Sequence, residues 1–336
     1  MNKNILIDGN NLLHRANAVC DDIVYNNRSV GLIHSSLTML SDWILSMDNI
    51  QSMAFFIDGV PTRRRALYPE YKIKKPDKTV SLGPVKMSLS DRLNAEEVFK
   101  LSDGHEASDS CQVIAHVLTL LGIDIFHHIE EEADDLIASY IKAHPKDLNI
   151  IISSDTDFYP LLVQYPTTVI YRPGIQGNRF FDHERAEEHL LKKYKVRVPL
   201  NKIELFKSLT GDASDKILGV PYLRKKVAAG LCNFDSIDCM IESGIPGASK
   251  AEKEKILALR DKIKLNLKLI KLIDNINIES IRTPAKSDHK QADIIIKSGL
   301  GLHTFPTFAF QSLMGPKIRT SDAIHTDPDY SWLKDI

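Results

Sequence analysis

Aspartates punctuate this chain where its apolar runs stop. In "IIISSDTDFYPLL", residues 150–162, three isoleucines lead into Asp155 and Asp157. Branched apolar residues followed by charge read as a buried parallel strand that ends at a sheet edge. Two carboxylates at that point repel each other unless a cation lies between them. The stretch is therefore either a solvated turn that caps the next helix or half of a metal site. The same ending recurs. "NILID" stops at Asp8, "MAFFID" stops at Asp58, and the run 123–128 leads into Glu132, Asp134 and Asp135. Any one of these acids is more simply a cap, worth about 0.3–1 kcal/mol in the first turn of a helix. Capping does not explain acids after every strand. Neither histidine nor cysteine accompanies them, so the donor set suits Mg²⁺ or Mn²⁺ better than zinc. Two such ions close together activate water and stabilise the leaving oxygen of a phosphodiester.

The elements that must position these acids are legible in outline. Strands are expected at 4–8, 53–58, 123–128 and 149–155. Helical patterns lie between them at 29–47, 106–121 and 133–143, the first carrying Leu32, Ile33, Leu37, Leu40, Trp43, Ile44 and Met47 near a 3.6 period. This alternation predicts an α/β fold with a mainly parallel sheet flanked by helices, whose strand ends share one edge. On the third helix Glu132 and Asp135, three apart, share a face, while Asp134 points partly away. Short β-like pieces follow at 168–172 and 179–181. The expected division is an α/β core over 1–183, a helical basic region over 184–285 and a tail over 286–336. A polar excursion from the sheet is expected at 73–104, where Pro76, Gly83, Pro84 and Gly104 fall.

Composition sets the remaining bounds. The chain has 336 residues, 43% hydrophobic and 26% charged, the balance of a soluble globular protein. No apolar run approaches the ~20 residues of a membrane span, and the N-terminus has no secretory h-region. Cys20, Cys111, Cys232 and Cys239 make no CxxC pair, which points to free thiols in a reducing cytoplasm. A net charge of −1 conceals segregation. Residues 61–78 hold seven bases against two acids, and 192–226 hold ten against three. Basic stretches beside an acidic cluster suit a protein that holds a polyanion next to metal ions, although solvated helix faces account for any single run.

The motifs, taken together, resemble the 5′ nucleases: flap endonucleases, bacteriophage 5′–3′ exonucleases and the exonuclease domain of bacterial DNA polymerase I. "LIDGNNLLHR" resembles the first motif, "FFIDGVPTRRRALYPEYK" the second, "EEADDLIA" the most specific one, "IISSDTDFYPLL" the next and "LTGDASDKILGV" the last. They occur in family order. The resemblance implies a PIN-like nuclease core followed by a helix-hairpin-helix-type DNA-binding domain. It implies metal ligation by Asp8, Asp58, Glu132, Asp134, Asp135, Asp155, Asp157, Asp212 and Asp215. Lys72 would stabilise the scissile phosphate, Arg64 stands at the family's arginine position, and Tyr71 would stack on the terminal nucleotide. Arg15 and Lys75 would contact substrate, and the 73–104 excursion would arch over a single-stranded flap. One departure concerns the glycine-rich hairpin that in relatives grips duplex phosphate with a potassium ion. Here it reads "GVPYLRKKVA", with Tyr222 and Arg224 in place of two glycines. Glycine supplies positive φ and close backbone approach, so the substitution argues against a potassium site and for side-chain contacts from Arg224, Lys225 and Lys226.

The implied activity is Mg²⁺-dependent hydrolysis, by a two-metal mechanism, of phosphodiesters at 5′ ends of branched or nicked DNA or RNA primers in replication or repair. The enzyme is expected to be a monomer in a bacterial or phage-infected cell. The aromatic tail at 303–314 either docks a clamp or single-strand-binding partner or packs on the core. Rival readings fit less well. A PIN-type ribonuclease has no use for Asp212 and Asp215. A haloacid-dehalogenase-type phosphatase needs an acid where Asn10 stands, and a Toprim fold leaves Asp8 and Asp58 unused. A non-catalytic DNA-binding replisome protein would be impeded by carboxylates that only catalysis requires.

Overall fold

The computed structural model describes residues 2–20, 22–26, 28–72, 107–177 and 179–313. The expected excursion at 73–104, Lys75 within it, and the last part of the tail lie outside the described residues. Eleven strands are present among the described residues: β1 (Lys3–Asp8), β2 (Val24–Tyr25), β3 (Arg28–Ser29), β4 (Ser52–Ile57), β5 (Asp124–His127), β6 (Leu148–Ile152), β7 (Thr168–Tyr171), β8 (Phe180–Phe181), β9 (Gly211–Asp212), β10 (Ile217–Leu218) and β11 (Arg282–Thr283). Seven form one sheet in the order β11-β5-β4-β1-β6-β7-β8. The five inner strands run parallel, while β11 and β8 pair antiparallel at the two edges. The sheet is thus the mainly parallel one expected. The edge strand β8 falls in the β-like piece expected at 179–181, whereas β11 has no counterpart among the expected strands, because a two-residue strand carries no periodic signal.

Both sheet faces are covered, which is why the inner strands are apolar almost without interruption. Side chains alternate between two cores. Ile5, Ile7, Phe55, Ile125 and Ile150 meet helices α1 (Gly9–Val19), α2 (Gly31–Ile44) and α4 (Ala107–Leu120), while α3 (Thr62–Leu67) follows β4. Leu6, Phe56, Phe126 and Ile151 meet α5 (Ala133–Ala143) and α6 (Tyr159–Gln164) on the opposite face. That second core continues into α7 (His183–Tyr194), α8 (Ile203–Thr210), α9 (Lys225–Leu231), α10 (Ile237–Glu242), α11 (Lys250–Ala258) and α12 (Arg260–Ile270). After β11 the chain returns to the first face through α13 (His289–Ile294) and α14 (Thr307–Leu313), burying Ile296, Phe305 and Phe310 there. Among the described residues no helix is long and apolar enough to cross a membrane.

Each of the first two strand-ending aspartates is followed by a glycine for a steric reason. A Cβ on Gly9 would collide with the carbonyl oxygen of Phe56, and one on Gly59 with that of His128. The Gly59 amide donates to the Glu131 carbonyl at 2.7 Å and that of Val60 to Ile129 at 2.8 Å. These contacts draw the loop before α5 onto the end of β4.

Candidate metal and nucleic-acid site

At the carboxyl edge of the sheet a hydrogen-bonded chain links acids up to about two hundred residues apart in sequence. Asp8 caps α1, its Oδ1 accepting from the Asn11 amide at 3.0 Å and its Oδ2 from Ser153 Oγ at 2.7 Å. Ser153 also accepts from the Asp155 amide at 3.1 Å, and Asp155 Oδ1 accepts from the Asp157 amide at 3.0 Å. On the other side Asp58 Oδ1 accepts from the Ala133 amide at 2.7 Å and its Oδ2 from Asn10. The Ala133 bond ties β4 to the first turn of α5, where Glu132 is the cap residue. Glu132 accepts from Lys72 Nζ at 2.7 Å, and the same ammonium lies 3.5 Å from Asp215. The oxygens of Asp157, Asp212 and Asp215 come within 4.8 Å of one another, and Lys207 Nζ bridges Asp157 and Asp212, at 2.6 Å from the latter.

Repulsion and burial leave this cluster short of positive charge. Burial pushes the Asp8 carboxyl up to about 6, helped by nearby Asp155. Asp58 is pushed up to about 7 by burial, with Glu132 and Asp8 adding to the rise and Lys72 opposing it. Asp157 reaches about 7 through burial and the charge of Asp155, against the pull of Lys207. Asp134 and Asp215 are also raised, chiefly by burial. Glu132 and Asp212 are the exceptions: Lys72 and Arg64 outweigh burial at the first, and Lys207 with Ser214 outweighs it at the second, so both are lowered. Lys72 itself is held protonated, since Asp134, Glu132 and Asp215 overcome the desolvation of its ammonium. Its backbone is left-handed, with φ of 50°, strain of the kind that marks functional positions. All-oxygen donors and carboxyls that resist ionising together fit a hard divalent cation, which would remove the repulsion.

Several expected site residues face elsewhere. Glu132 and Asp135 do share a helix face, but that face turns to Arg64. Asp135 is 0% exposed; Arg64 donates to both its oxygens at 2.5 and 2.9 Å, and the Ile273 amide adds a bond at 2.8 Å. Arg64 also donates to Glu132 at 2.5 Å and to the Leu269 and Lys271 carbonyls. Asp134, expected to point partly away, lies with Glu132 in the field of Lys72 and Asp58 and also in that of Asp8. Tyr71 is 2% exposed, packed with Ile217, Leu269 and Ile270, and its hydroxyl donates to Asp215 at 3.4 Å. In the described structure its ring is covered rather than presented for stacking.

The expected nucleic-acid contacts are spread along the edge. Arg15 is half-buried, held by Asn11 at 3.1 Å near Gly174. Arg224 is engaged by Glu252 at 2.9 and 2.6 Å, whereas Lys225 and Lys226 are exposed at the start of α9. Position 222 does require positive φ: Tyr222 sits at 61°, while Arg224 is extended at −66°. Three residues of the site escaped the sequence reading: Asn10, Ser153 and Lys207. A signal existed for Lys207, which lies with Ile203, Phe206 and Thr210 on the i, i+3, i+4, i+7 face of α8 that should be apolar.

Comparison with known proteins bears on this arrangement. Residues 3–194 match the family model described as 5′-3′ exonuclease, N-terminal resolvase-like domain. DNA polymerase I of Bacillus subtilis is 28% identical over 82% of this chain, and flap endonuclease Xni of Colwellia psychrerythraea is 34% identical over 45% of it. The chain spans 28% of that polymerase and 54% of that Xni protein. It spans 88% of the 5′-3′ exonuclease of Mycoplasma pneumoniae, at 26% identity over 79% of this chain. Among solved structures, the bacteriophage T5 5′-exonuclease with bound zinc shares the fold, with a TM-score of 0.56 and 17% identity, covering 93% of this chain and 100% of that one. The catalytic core of Rad2 in complex with DNA substrate is similar at a TM-score of 0.54 and 14% identity, covering 93% of this chain and 92% of that one.

Proposed function

Because the chain belongs to the 5′-3′ exonuclease family, we propose that its acidic edge is the active centre of a Mg²⁺-dependent 5′ nuclease. Its substrates are 5′ ends of nicked or branched DNA, or RNA primers, in replication or repair. The observation that carries this reading is the convergence of Asp8, Asp58, Glu132, Asp155, Asp157, Asp212 and Asp215, through shared hydrogen bonds and two lysines, on one sheet edge, with Asp134 in the field of Lys72, Asp58 and Asp8.

The group these carboxylates would hold is a pair of divalent cations, which supply charge neutralisation and an acidified water for phosphodiester hydrolysis. The chain's own residues do the rest. Asn10 and the Ala133 amide orient Asp58, and Ser153 orients Asp8. Arg64 anchors Asp135 and one oxygen of Glu132, so Asp135 serves as a positioning residue rather than a ligand. Lys72, one-third exposed and fully protonated, stabilises charge on the reacting phosphate. The basic stretch of 184–285, with Lys225 and Lys226 exposed, holds the duplex by side chains in place of a glycine-rich, potassium-binding turn. A role in binding alone leaves the carboxylates unexplained, since they repel the phosphates such a protein must hold.

End-resolved cleavage of 5′-flap, nicked, single-stranded and RNA–DNA substrates tests the reading. Cleavage should need Mg²⁺ and cease in chelator, and Asp155→Ala should abolish it while binding stays within about an order of magnitude. Undiminished digestion in excess chelator would sink the reading.

A further inference from the structure

Lys207 is a cation for which the proposed chemistry has no use. It sits inside the metal-binding half of the site, its side chain only 7% exposed. Its ammonium pairs with Asp157 and, at 2.6 Å, with Asp212 Oδ2. These are two of the three carboxylates whose oxygens lie within 4.8 Å of one another. Asp212 is further fixed by Ser214, whose amide donates to Oδ1 at 3.0 Å. The ammonium therefore lies between two of the three carboxylates of that cluster. Mg²⁺ binds carboxylate oxygens at about 2.0–2.1 Å, so an ion on Asp212 Oδ2, 2.6 Å from the lysine nitrogen, would lie within about 5 Å of that nitrogen. At that separation two cations repel strongly in a buried site. The four-carbon stem of lysine is flexible enough to withdraw its charge.

We propose that Lys207 is a tethered counter-cation that closes the Asp157–Asp212–Asp215 cluster in the metal-free protein and is displaced when a divalent cation enters. The inference rests on reading the cluster as a divalent-cation site. Its physical content is an exchange. The lysine relieves carboxylate repulsion before metal arrives, and its expulsion opposes metal binding by the same interaction. A buried charge cluster left without its partner is strongly destabilised, so the lysine also keeps the metal-free site folded.

Direct titration of DNA-free protein with Mn²⁺, read by electron paramagnetic resonance, tests this. Lys207→Met should bind one Mn²⁺ about tenfold more tightly than wild type. In chelator the variant should melt below wild type, and saturating Mg²⁺ should close that gap. Equal or weaker Mn²⁺ binding by the variant overturns the inference alone. A wild type that binds no Mn²⁺ overturns the metal reading and the inference with it. Should the variant not fold, wild-type protein labelled with ¹⁵N-lysine gives the answer. A shielded, slowly exchanging ammonium resonance should be present in chelator and vanish with Mg²⁺, and its persistence in Mg²⁺ overturns the proposal.

Discussion

Arg64 is the middle of three consecutive arginines, and burial separates it from its neighbours. Arg63 is 58% exposed and pairs with Glu131 at 2.8 Å, whereas the Arg64 guanidinium is enclosed and bonded to two carboxylates and two carbonyls. The planar fork of arginine matches this set, and lysine, a point charge, cannot span it. Removing one partner of such a buried cluster costs about 3–5 kcal/mol, because the other charges remain without compensation. Arg64→Ala should accordingly lower the urea-derived unfolding free energy by about that amount, with Arg64→Lys recovering only part of it. A loss under about 1 kcal/mol would mean that the site holds its shape without this clamp.

Between β10 and α9 the chain makes a turn that a glycine would form without strain. Tyr222 adopts φ of 61° there, 93% exposed, with Lys255 Nζ 5.0 Å from its ring centroid. A left-handed tyrosine costs about 1–2 kcal/mol, and glycine in its place gives back part of that through unfolded-state entropy. Tyr222→Gly should therefore raise stability by about 0.5–1 kcal/mol in equilibrium denaturation. A drop would mean that the ring's contact with Lys255 outweighs the strain. The neighbouring Gly219 is not interchangeable in this way, since a Cβ there would strike the backbone at Thr210 and Gly211.

For the molecule as a whole, two histidines set an acid limit to stability. Burial depresses His127 to about 4, and burial beside Arg172 and Lys193 depresses His189 to about 4, the latter bonded to Tyr159. A folded pKa below the unfolded 6.5 means the unfolded chain takes up protons first. The stability these groups contribute is complete above pH 6.5 and is lost as pH falls toward 4. The melting temperature in chelator should decline through that window, and the double variant His127→Phe, His189→Phe should decline less. Each histidine accounts for about 1–2 kcal/mol after allowance for its partial exposure. Identical acid limbs in the two proteins would assign the loss to carboxylates instead.

Local chemistry was enough to place the inner strands, the helices α2, α4 and α5 between them and the acids at the strand ends, but not α1, α3 or α6. An apolar run needs a two-sided core, and charge cannot remain inside it, so both the strand and its boundary are written in adjacent residues. Parallel order then puts Asp8, Asp58 and Asp155 on one edge without further information. Which acid meets which cation lies in no local pattern. Asp135 turns to Arg64, seventy-one residues away, and Asp157 to Lys207, fifty away, because helix packing brings those cations to one side of the cluster and not the other. Phe305 and Phe310 close the first core for the same reason: a tail without periodicity acquires a buried face only once α2 and α4 exist to receive it.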